Sequence, residues 1–469
     1  MDLAGKRVLV VGLARSGVAV ARLLKSAGAM VIANDRKPES EVETAGELRD
    51  LGATLSFGGH PEDLFLTADL IVLSPGVPAH LEPLEAARQA GIEIISEPEL
   101  AGRFLRGRII GVTGSNGKTT VTTLIGELMR AAGADVVIGG NIGTPLTSLV
   151  EKSSDDGWVV AELSSFQLEM IDSLRVHVAV VTNITPDHLD RHGSFENYVR
   201  AKHRIFSNQT GEDHAVLNGQ DQGVADMVAT LGVSSRKHYF SSRGAETIEG
   251  VTADFYVRDG RLCNTMLRDS DAEVDVLGLN EIAIPGMHNV ENVMTALAAT
   301  FCAMDTSSDA LDPLRETIRR FKGVEHRIEH VADIAGVRFY NDSKATNVDS
   351  TVKALESFQR NIIVILGGKD KGSDYTVLAP LVRERVKRII LIGAAGDKIA
   401  SQLEGTRPMS RSQSMEDAVR IAMESAVDGD IVLLAPACAS FDMFDNYEHR
   451  GRVFKEEVHR LANRAEGVR

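Results

Sequence analysis

Residues 108–125 read RIIGVTGSNGKTTVTTLI, and this stretch decides how the middle of the chain folds. An apolar run of strand character leads into a glycine-containing loop, and Lys118 and Thr119 then open an amphipathic helix. That order is typical of a phosphate-binding loop, whose amides surround the phosphates of ATP while a lysine offsets their charge and a hydroxyl binds magnesium. The strict pattern has glycine where Val112 stands, and glycines occur instead at 111, 114 and 117. We predict an ATP-binding α/β domain; the alternative is a glycine turn that has this order by chance.

The sequence on both sides of this stretch alternates short apolar runs with helical segments. The alternation occupies residues 7–100, restarts at 108 and starts a third time after Gly323. Such alternation predicts parallel sheets covered by helices. We therefore predict three α/β domains: an N-terminal Rossmann-like domain at 1–105, a central P-loop ATPase-like domain at 106–325, and a C-terminal Rossmann-like domain at 326–469.

The central domain contains a region, residues 235–286, in which strand-like segments are shorter and separated by turn residues. These segments are KHYFS (237–241), DFYVRDGRLC (254–263) and EIAIPG (281–286). Short strands joined by tight turns predict a small antiparallel patch that closes the domain. Two helices are predicted after it, near residues 288 and 308.

Composition limits the classes of function. The 469 residues include 66 acidic and 51 basic side chains, a net charge of −15, which argues against general binding to nucleic acid or to an anionic membrane. Three widely spaced cysteines (Cys263, Cys302 and Cys438) form neither a disulfide framework nor a zinc-ligand pair in the sequence. The first apolar strand comes too early for a signal peptide, and no apolar run reaches ~18 residues. We expect a cytoplasmic protein without membrane insertion.

A glycine-containing turn also follows the first strand. In VLVVGLARSGVAVARLL (8–24), Gly12, Ala14 and Gly17 form a GxAxxG pattern between a strand and a helix. Three interpretations remain open: binding of NAD, binding of another nucleotide-linked phosphate, and tight packing of the helix on the strand. Small and polar residues after two later strands extend the candidate site: Asp35, Arg36, Ser74, Pro75 and Gly76.

The central domain supplies three further candidates for chemistry. Glu162 follows the apolar run WVVA, so it should emerge at the carboxyl end of a strand near the phosphate loop, where a carboxylate suits magnesium. Its alternative role is a helix cap or surface acid. His188 lies in a polar cluster after the strand VAVVTN. Lys202 lies fourteen residues beyond it on a predicted helix, and alone it reads as a solvated lysine.

Later candidates lie on a helix and on loops. Asn292 occupies the first turns of the helix in GMHNVENV, where amides are also common caps, and Arg327 lies beside the second domain boundary, where it could reach phosphates across a cleft. Three polar loops follow apolar strands: NDSKATN (341–347), LGGKDKG (366–372) and PACASFD (436–442). Together they could bind a small carboxylate, with Lys369 and Lys371 supplying positive charge. The alternative is three ordinary solvated loops.

The order of these motifs resembles one known family. GSNGKTT, GNIGTP, ELSSFQLE, NITPDHLDRH, YVRAKHRIF, GMHNVENV, EHRIE, NDSKATN and PACASFD occur as in the Mur ligases, so the chain resembles that family over all three domains. NDSKAT and LGGKDKG resemble its D-glutamate-adding members. The resemblance implies an ATP-dependent amide ligase that adds D-glutamate to UDP-N-acetylmuramoyl-L-alanine through an acyl phosphate, with release of ADP and phosphate, in bacterial peptidoglycan precursor synthesis.

The resemblance also implies a role for each matching residue. Catalytic roles fall on Lys118, Glu162, His188 and Lys202. Contacts to ATP fall on Gly114, Ser115, Asn116, Gly117, Lys118, Thr119, Thr120, Asn292, Arg327 and Asp342. Contacts to the UDP-linked acceptor, rather than to NAD, fall on Asp35, Arg36, Ser74, Pro75, Gly76, Asn141 and His188. Contacts to D-glutamate fall on Thr346, Lys371, Ser440 and Phe441.

The cofactors implied are ATP and two magnesium ions. The metal ligands would be Thr119, Glu162, His188 and Lys202, the last carbamylated to N6-carboxylysine. The chain departs from the family at the acceptor site, where Asn34-Asp35-Arg36 replaces an Asp-Thr-Arg string. We expect a monomer that acts on small molecules and binds no nucleic acid.

Three other functions remain as alternatives. The nearest is another Mur ligase or a folylpolyglutamate-type ligase, which would differ in the amino acid it adds. An NAD-dependent oxidoreductase would account for the first hundred residues but not for the phosphate loop. A non-enzymatic regulator would bind ATP without turnover that depends on an amino acid.

Overall fold

The computed structural model describes residues 2–78, 81–267, 272–304 and 306–466. The chain divides into two compact units, one formed by Met1–Glu281 with Glu291–Arg319 and the other by Ile282–Val290 with Arg320–Arg469. The first unit contains two sheets and the second contains one. All three sheets are mainly parallel and alternate with helices along the chain, so the predicted α/β class is confirmed.

The first sheet is parallel throughout and is built from residues 7–96. Its strands are β1 (Arg7–Val11), β2 (Met30–Asp35), β3 (Thr54–Phe57), β4 (Leu70–Leu73) and β5 (Glu93–Ser96). Its helices are α1 (Arg15–Ser26), α2 (Ala45–Asp50), α3 (Glu62–Leu66), α4 (Glu82–Gln89) and α5 (Glu97–Gly102). The strand order β3-β2-β1-β4-β5 reverses direction at β1, and open parallel sheets bind ligands beyond the carboxyl ends of the strands at such a point.

The GxAxxG turn lies at that reversal. Gly12 follows β1 with φ at 87°, a left-handed conformation that glycine adopts without strain. A Cβ at Gly17 would collide with the carbonyl oxygen of Gly12, so only glycine lets α1 begin this close to the turn. Tight packing of helix on strand therefore accounts for both glycines.

The second sheet has nine strands and holds the phosphate loop. Its strands are β6 (Arg108–Thr113), β7 (Val136–Gly140), β8 (Trp158–Glu162), β9 (Val178–Val181), β10 (His214–Asn218), β11 (Arg236–Ser241), β12 (Phe255–Arg258), β13 (Arg261–Asn264) and β14 (Val274–Gly278). The helices that accompany it are α6 (Lys118–Ala131), α7 (Ser165–Leu168), α8 (Leu189–His192), α9 (Phe195–His203), α10 (Gln222–Leu231), α11 (Met287–Met304) and α12 (Leu311–Arg320). The order is β14-β13-β12-β11-β10-β9-β6-β8-β7. The pairs β12·β13 and β13·β14 are antiparallel, and the other pairs are parallel.

The antiparallel patch is therefore confirmed, but two of its predicted members were wrong. KHYFS belongs to β11, which pairs in parallel with both neighbours. EIAIPG forms no strand, because Pro285 has no N–H for a ladder and Gly286 turns with φ at 99°; the third strand of the patch is β14 instead. The two predicted helices are present as α11 and α12.

The third sheet lies in the second unit and is built from residues 329–434. Its strands are β15 (Glu329–Ile334), β16 (Val337–Asn341), β17 (Ile362–Gly367), β18 (Val386–Ile392), β19 (Met409–Arg411) and β20 (Ile431–Leu434). Its helices are α13 (Val348–Glu356), α14 (Ala379–Arg385), α15 (Gly396–Gln402), α16 (Met415–Ser425) and α17 (Tyr447–Glu466). The order β15-β16-β20-β17-β18-β19 sets β16, β20 and β17 side by side, so the loops that follow them leave the same edge. The sequence pattern did not indicate the edge strands β15 and β19.

No helix in the described ranges of the chain has the length and apolar character that a membrane span requires.

Candidate active site

The phosphate loop connects β6 to α6 and depends on two glycines. Gly114 and Gly117 have φ values of 141° and 84°, and Gly117 is the residue that caps α6. A Cβ at Gly114 would collide with the hydroxyl of Thr182, and a Cβ at Gly117 would lie 2.5 Å from Oδ1 of Asn292. Only glycine fits at these two loop positions without strain or collision, and Asn292 of α11 lies against the loop at Gly117.

Lys118 folds back over this loop. Its Nζ donates hydrogen bonds to the carbonyl oxygens of Gly114 (2.9 Å) and Ser115 (2.7 Å). The ammonium group thus lies over the loop that leads into the amino end of α6. The amino end of a helix favours anions, because its backbone amides are free to donate hydrogen bonds. The arrangement suits a nucleotide phosphate.

The segment after β9 supports the loop from the side. Thr182 donates to the carbonyl oxygen of Asn116 at 2.6 Å, while Asn183 accepts from the amide of Asn116 at 2.9 Å and donates to its carbonyl at 3.1 Å. The hydroxyls of Ser115 and Tyr198 lie 2.8 Å apart. Sequence reasoning missed Thr182 and Asn183, although polar residues directly after an apolar strand beside the loop are the signal that could have found them.

Glu162 lies where its sequence context predicted. It ends β8, in parallel register with Val112 of β6, and its side chain is buried. Thr119 donates to Oε2 of Glu162 at 2.8 Å, and Asn141 donates to Oε1 at 2.9 Å. A hydroxyl and a carboxylate beside a phosphate loop form the all-oxygen set that Mg²⁺ prefers, so these residues fit a magnesium ion.

Lys202 is buried in the same region. Its Nζ donates to the carbonyl oxygen of Gly114 at 2.7 Å and lies 4.6 Å from the ring centre of Tyr198. Burial, followed by the nearby charge of Lys118, lowers the pKa of Lys202 well below its usual 10.5, although Asp187 acts in the opposite direction. The alternative of a solvated lysine is wrong, since the side chain is only 2% exposed.

His188 precedes α8 in a left-handed conformation, with φ at 52°. Its ring is 43% exposed, and Nε2 lies 3.5 Å from the carboxylate of Asp187. A bulky residue with positive φ costs conformational energy, and such residues cluster at functional sites. The position suits a histidine that must present its ring to a ligand.

The motif ELSSFQLE places an aromatic ring between two histidines. Phe166 of α7 lies edge-to-face with His188 (5.1 Å between ring centres) and stacks on His192 (5.0 Å). The two ring nitrogens of His192 lie 2.9 Å from Ser165 Oγ and 2.9 Å from Glu169 Oε1. Phe166 and Ser165 were not recognised as site residues from the sequence, because their role depends on partners distant along the chain.

The candidates in the first sheet gather around the Gly12 turn. Asp35 accepts from the amides of Leu13 (2.9 Å) and Lys37 (3.0 Å), and Ser74 donates to the carbonyl of Gly12 at 2.6 Å. These two side chains hold the turn. The three other candidates lie nearer solvent: Arg36 and Gly76 are exposed, and Pro75 is half-buried.

Asn34, which replaces the first residue of the family string, is fully buried. Its amide nitrogen donates to the carbonyls of Ser56 (3.1 Å) and Gly59 (2.9 Å), and its Oδ1 lies 2.6 Å from Nδ1 of His60. Burial lowers the pKa of His60, with Asp35 acting in the opposite direction. Asn34 thus holds the loop after β3.

The first two sheets approach each other at a small cavity. Its lining includes Ser74 and Pro75 from the first sheet and Phe166 from the second. Arg15 of α1 also donates to the carbonyl oxygen of Gly143 at 3.0 Å, within the GNIGTP segment that contains Asn141. Two acceptor candidates, Ser74 and Pro75, therefore line a cavity with Phe166 of the second sheet.

In the second unit, the three polar loops meet. The amide of Ala437 donates to the carbonyl of Ala345 at 2.9 Å, and Lys369 and Ala439 exchange backbone hydrogen bonds of 2.8 and 3.2 Å. The loops after β16, β17 and β20 are thus joined through the middle one. Four D-glutamate candidates lie on them: Ser440 is buried, Thr346 is half-buried, and Lys371 and Phe441 are exposed, Phe441 by 67%.

Arg450 of α17 holds this group of loops together and was missed by sequence reasoning. It is buried, and it donates to Ser343 Oγ (2.9 Å), to the Ser343 carbonyl (2.8 Å) and to the Cys438 carbonyl (3.0 Å). Burial lowers the pKa of Arg450 to about 10, so it stays charged near neutral pH. Nothing near Arg450 in the sequence signals this role.

Two predicted ATP residues of the second unit, Arg327 and Asp342, carry opposite charges when Asp342 is ionised. Burial raises the pKa of Asp342 to about 7, and the charge of Arg327 opposes this rise. Nε of Arg327 is buried and has no hydrogen-bond partner among the described residues. A half-buried guanidinium with a spare donor suits an anionic ligand.

Comparisons with known proteins agree with this architecture. The chain matches three family descriptions: "Mur ligase MurD-like, N-terminal domain" over residues 6–96, "Mur ligase middle domain" over 112–300, and "Mur ligase, glutamate ligase domain" over 326–438. The three matches follow one another in the order of the three sheets.

Relatives are similar over nearly the whole chain. A protein from Koribacter versatilis (strain Ellin345), named UDP-N-acetylmuramoylalanine–D-glutamate ligase, is 47% identical over 463 residues, which are 98% of this chain and 99% of the relative. A protein of the same name from Acidobacterium capsulatum is 48% identical over 465 residues, covering 99% of this chain and 98% of the relative.

Solved structures share the fold at lower identity. The ligase MurC from Thermotoga maritima has a TM-score of 0.60 and 19% identity, covering 97% of this chain and 100% of its own. FolC from E. coli, in complex with DHPP and ADP, has a TM-score of 0.56 and 18% identity, covering 78% of this chain and 94% of its own. Because three family matches account for most of the chain and relatives almost half identical span 98% of it, the chain belongs to the Mur ligase family.

Proposed function

We propose that this chain is an ATP-dependent ligase that joins D-glutamate to UDP-N-acetylmuramoyl-L-alanine in peptidoglycan precursor synthesis. The observation that carries the proposal is the phosphate loop with Thr119, Glu162 and the buried Lys202 around it, in a chain 47% identical to a ligase of that name. We propose small molecules as the substrates. The net charge of −15 is consistent with this, because it disfavours binding to large polyanions such as nucleic acid.

The reaction needs an activated carboxylate, because a free carboxylate is a poor electrophile. The γ-phosphoryl group of ATP moves to an oxygen of the alanyl carboxylate, and ADP departs. The D-glutamate amine then attacks the acyl phosphate carbon, forming a tetrahedral intermediate. Collapse of that intermediate breaks the carbon–oxygen bond, releases phosphate and gives up the amine proton, leaving the amide.

The residues around the phosphate loop suit the first step. Lys118 would offset charge on the transferring phosphoryl group, and the loop amides and hydroxyls would orient ATP. The ATP-binding residues proposed are Gly114, Ser115, Asn116, Gly117, Lys118, Thr119, Thr120, Asn292, Arg327 and Asp342. Magnesium, when bound, neutralises phosphate charge and aligns the transferred group.

We infer two metal positions from this chain's own ligands. Thr119 and Glu162 would hold the first ion, and His188 with Lys202 would hold the second. Mg²⁺ prefers oxygen ligands, which a lysine amine does not offer, so we propose that the amine of Lys202 adds CO₂, forming an N–C bond and losing one proton to give a carbamate. The lowered pKa of Lys202 supports this step, since the neutral amine is the nucleophile.

The other substrates are assigned to the remaining candidates. Asp35, Arg36, Ser74, Pro75, Gly76, Asn141 and His188 would bind the UDP-linked acceptor. Thr346, Lys371, Ser440 and Phe441 would bind D-glutamate. The joined loops of the second unit support the latter assignment, because Lys371 gives them positive charge for a carboxylate.

We propose domain boundaries at 105/106 and 325/326, with the ligase acting as a monomer in the cytoplasm. Two observations support the boundaries. Each family match, at residues 6–96, 112–300 and 326–438, falls inside one proposed domain, and each domain contains one sheet.

Phosphate release tests the function directly. Purified protein with ATP, magnesium and UDP-N-acetylmuramoyl-L-alanine is given D-glutamate, L-glutamate, L-lysine, meso-diaminopimelate or no amine. We expect release with D-glutamate alone. Turnover with another amine would show that the ligase adds a different amino acid by the same reaction. No turnover with any amine would contradict the ligase function.

A further inference from the structure

Two histidine rings meet at the amino ends of strands β10 and β11, away from the phosphate loop at the carboxyl ends of the same sheet. His214 begins β10 and His238 lies near the start of β11. Nδ1 of His214 and Nε2 of His238 are 2.9 Å apart, and the ring centres are 5.1 Å apart. This contact lies outside every site described above.

A cysteine from α11 completes the group. One ligand atom from each of His214, His238 and Cys302 lies within 4.8 Å of the other two. All three residues are half-buried. These residues are far apart in the sequence, which is why cysteine and histidine spacing gives no metal motif.

The donor set has a clear preference among metals. Two imidazole nitrogens and a thiolate suit Zn²⁺ and related transition ions, whereas Mg²⁺ requires oxygen ligands. A tetrahedral zinc site with Zn–N of about 2.0 Å and Zn–S of about 2.3 Å separates its ligand atoms by roughly 3.3–3.6 Å. Because the three ligand atoms lie within 4.8 Å of one another, no separation must shorten by more than about 1.5 Å to reach those values.

The carboxylate of Asp254 lies on the side of His238 where metal-binding histidines usually have an outer hydrogen-bond partner. Nδ1 of His238 is buried, lacks a hydrogen-bond partner among the described residues, and lies 3.9 Å from Oδ1 of Asp254. A metal on Nε2 would fix the proton on Nδ1, facing the carboxylate. Such carboxylate–histidine–metal arrangements orient the ring and raise its basicity.

We propose that His214, His238 and Cys302 form a binding site for one zinc-class divalent ion, with a fourth position open to water. On binding, Cys302 gives its thiol proton to solvent and becomes a thiolate, and His214 takes the tautomer with its proton on Nε2. The ion joins β10 and β11 to α11. Because Asn292 on the same helix lies ten residues, about 15 Å, from Cys302, an occupied site would brace the helix that contacts the phosphate loop.

Cobalt titration of the full chain tests the site, with excess Mg²⁺ present so that oxygen sites are filled. We expect one Co²⁺ per chain, a thiolate-to-cobalt charge-transfer band in the near ultraviolet, and its loss when Zn²⁺ is added. Cys302→Ser should remove the band and weaken binding by tenfold or more. Cys263→Ser is the matched control, since Cys263 is a buried cysteine elsewhere in the same domain, and it should keep both.

Three results would overturn the proposal: no saturable band in the unchanged protein, an unchanged band in Cys302→Ser, or loss of the band in Cys263→Ser alone. Thermal unfolding without metal checks that each variant folds. His238→Gln provides a second, independent variant, which should retain the fold, weaken Co²⁺ binding by at least tenfold and abolish the increase in Tm that Zn²⁺ gives the unchanged protein.

Discussion

The side-chain nitrogen of Lys202 lies 2.7 Å from the carbonyl oxygen of Gly114, the same oxygen that accepts a hydrogen bond from Lys118 at 2.9 Å. Two ammonium groups on one acceptor would repel each other. Burial and this repulsion lower the pKa of Lys202. Carbamylation would convert the repulsion into attraction, because Lys202 would then carry a negative charge beside the ammonium of Lys118.

The first prediction concerns Lys202. Lys202→Ala should lower the rate of phosphate release at least about tenfold, because one metal position loses its anion, and short carboxylates such as acetate should restore part of the activity. Labelled ¹³C-bicarbonate should give a carbamate signal by NMR in the unchanged protein only. Lys152→Ala, an exposed lysine of the same domain, serves as control. Full activity of Lys202→Ala would exclude the metal-supporting role.

The second prediction concerns Glu162. Glu162→Gln preserves the shape of the side chain but removes its charge, so the apparent affinity for Mg²⁺ in the phosphate-release assay should fall about 10- to 100-fold. High Mg²⁺ should restore much of the rate. Glu151→Gln, an exposed glutamate, should behave as the unchanged protein. An unaltered Mg²⁺ dependence of Glu162→Gln would show that this carboxylate binds no metal.

Glu162 also illustrates why part of the site could be predicted from the sequence. A polar residue at the end of an apolar run must emerge at the carboxyl edge of a parallel sheet, and the register with Val112 sets it beside the phosphate loop. The three joined loops follow the same rule, since they leave neighbouring strands. Local sequence patterns are therefore sufficient to predict site residues wherever the sheet itself brings those residues together.

Arg450 and EIAIPG show where such reasoning stops. Arg450 looks like any charged residue of an amphipathic helix, and only the folded chain reveals that it is buried against loops about a hundred residues away. EIAIPG has the apolar character of a strand but contains Pro285 and an adjoining turn. The role of Arg450 depends on partners that are distant in the sequence, and the structure of EIAIPG depends on backbone geometry. Hydrophobic periodicity reports on neither.

The third prediction is an opposite pH dependence for two neighbouring glutamates of α5. Burial raises the pKa of Glu97 to about 7, against the hydrogen bonds from Thr147. For Glu99, burial alone would raise the pKa, but hydrogen bonds led by that from Ser173 outweigh it and lower the pKa. The proton therefore binds the folded state more tightly at Glu97 and less tightly at Glu99.

The signs follow from which state holds the proton. Between pH 4.5 and about 7 the folded state keeps the proton on Glu97 and the unfolded state loses it. The contribution of Glu97 to stability is therefore full below pH 4.5 and declines up to about pH 7. Glu97→Gln should remove this decline and raise the free energy of unfolding at pH 8, by on the order of 3 kcal/mol at most. Urea unfolding at several pH values measures it.

Glu99→Gln is the matched variant and should act in the other direction. The lowered pKa of Glu99 stabilises the fold above the unfolded-state pKa, and this contribution disappears as the pH falls through the folded-state pKa. The variant should therefore be less stable at pH 7, and the difference should shrink in acid. Shifts of the same sign in both variants at pH 8 would contradict the assignment.

The fourth prediction tests the D-glutamate site. Lys371→Ala should raise the KM for D-glutamate about tenfold or more and leave the KM for ATP nearly unchanged, because a side-chain carboxylate would lose its charged partner. Lys369→Ala, two residues earlier in the same loop, is the control. It measures how much the KM for D-glutamate changes when the loop loses one positive charge at another position. Equal effects of the two substitutions would argue for a diffuse field rather than a direct contact at Lys371.

The fifth prediction concerns the positioning role of Arg450. Its planar guanidinium donates to Ser343 and to the carbonyl of Cys438, joining the loops after β16 and β20, and a lysine cannot reproduce that fork. Arg450→Lys keeps the charge but loses some of these hydrogen bonds, at about 1 kcal/mol each, so the loops should lose their alignment. We expect the KM for D-glutamate to rise about tenfold while kcat and the KM for ATP change less. Arg452→Lys, exposed on the same helix, is the control. A lowered Tm with an unchanged KM for D-glutamate would show that Arg450 stabilises the fold but does not position the D-glutamate site.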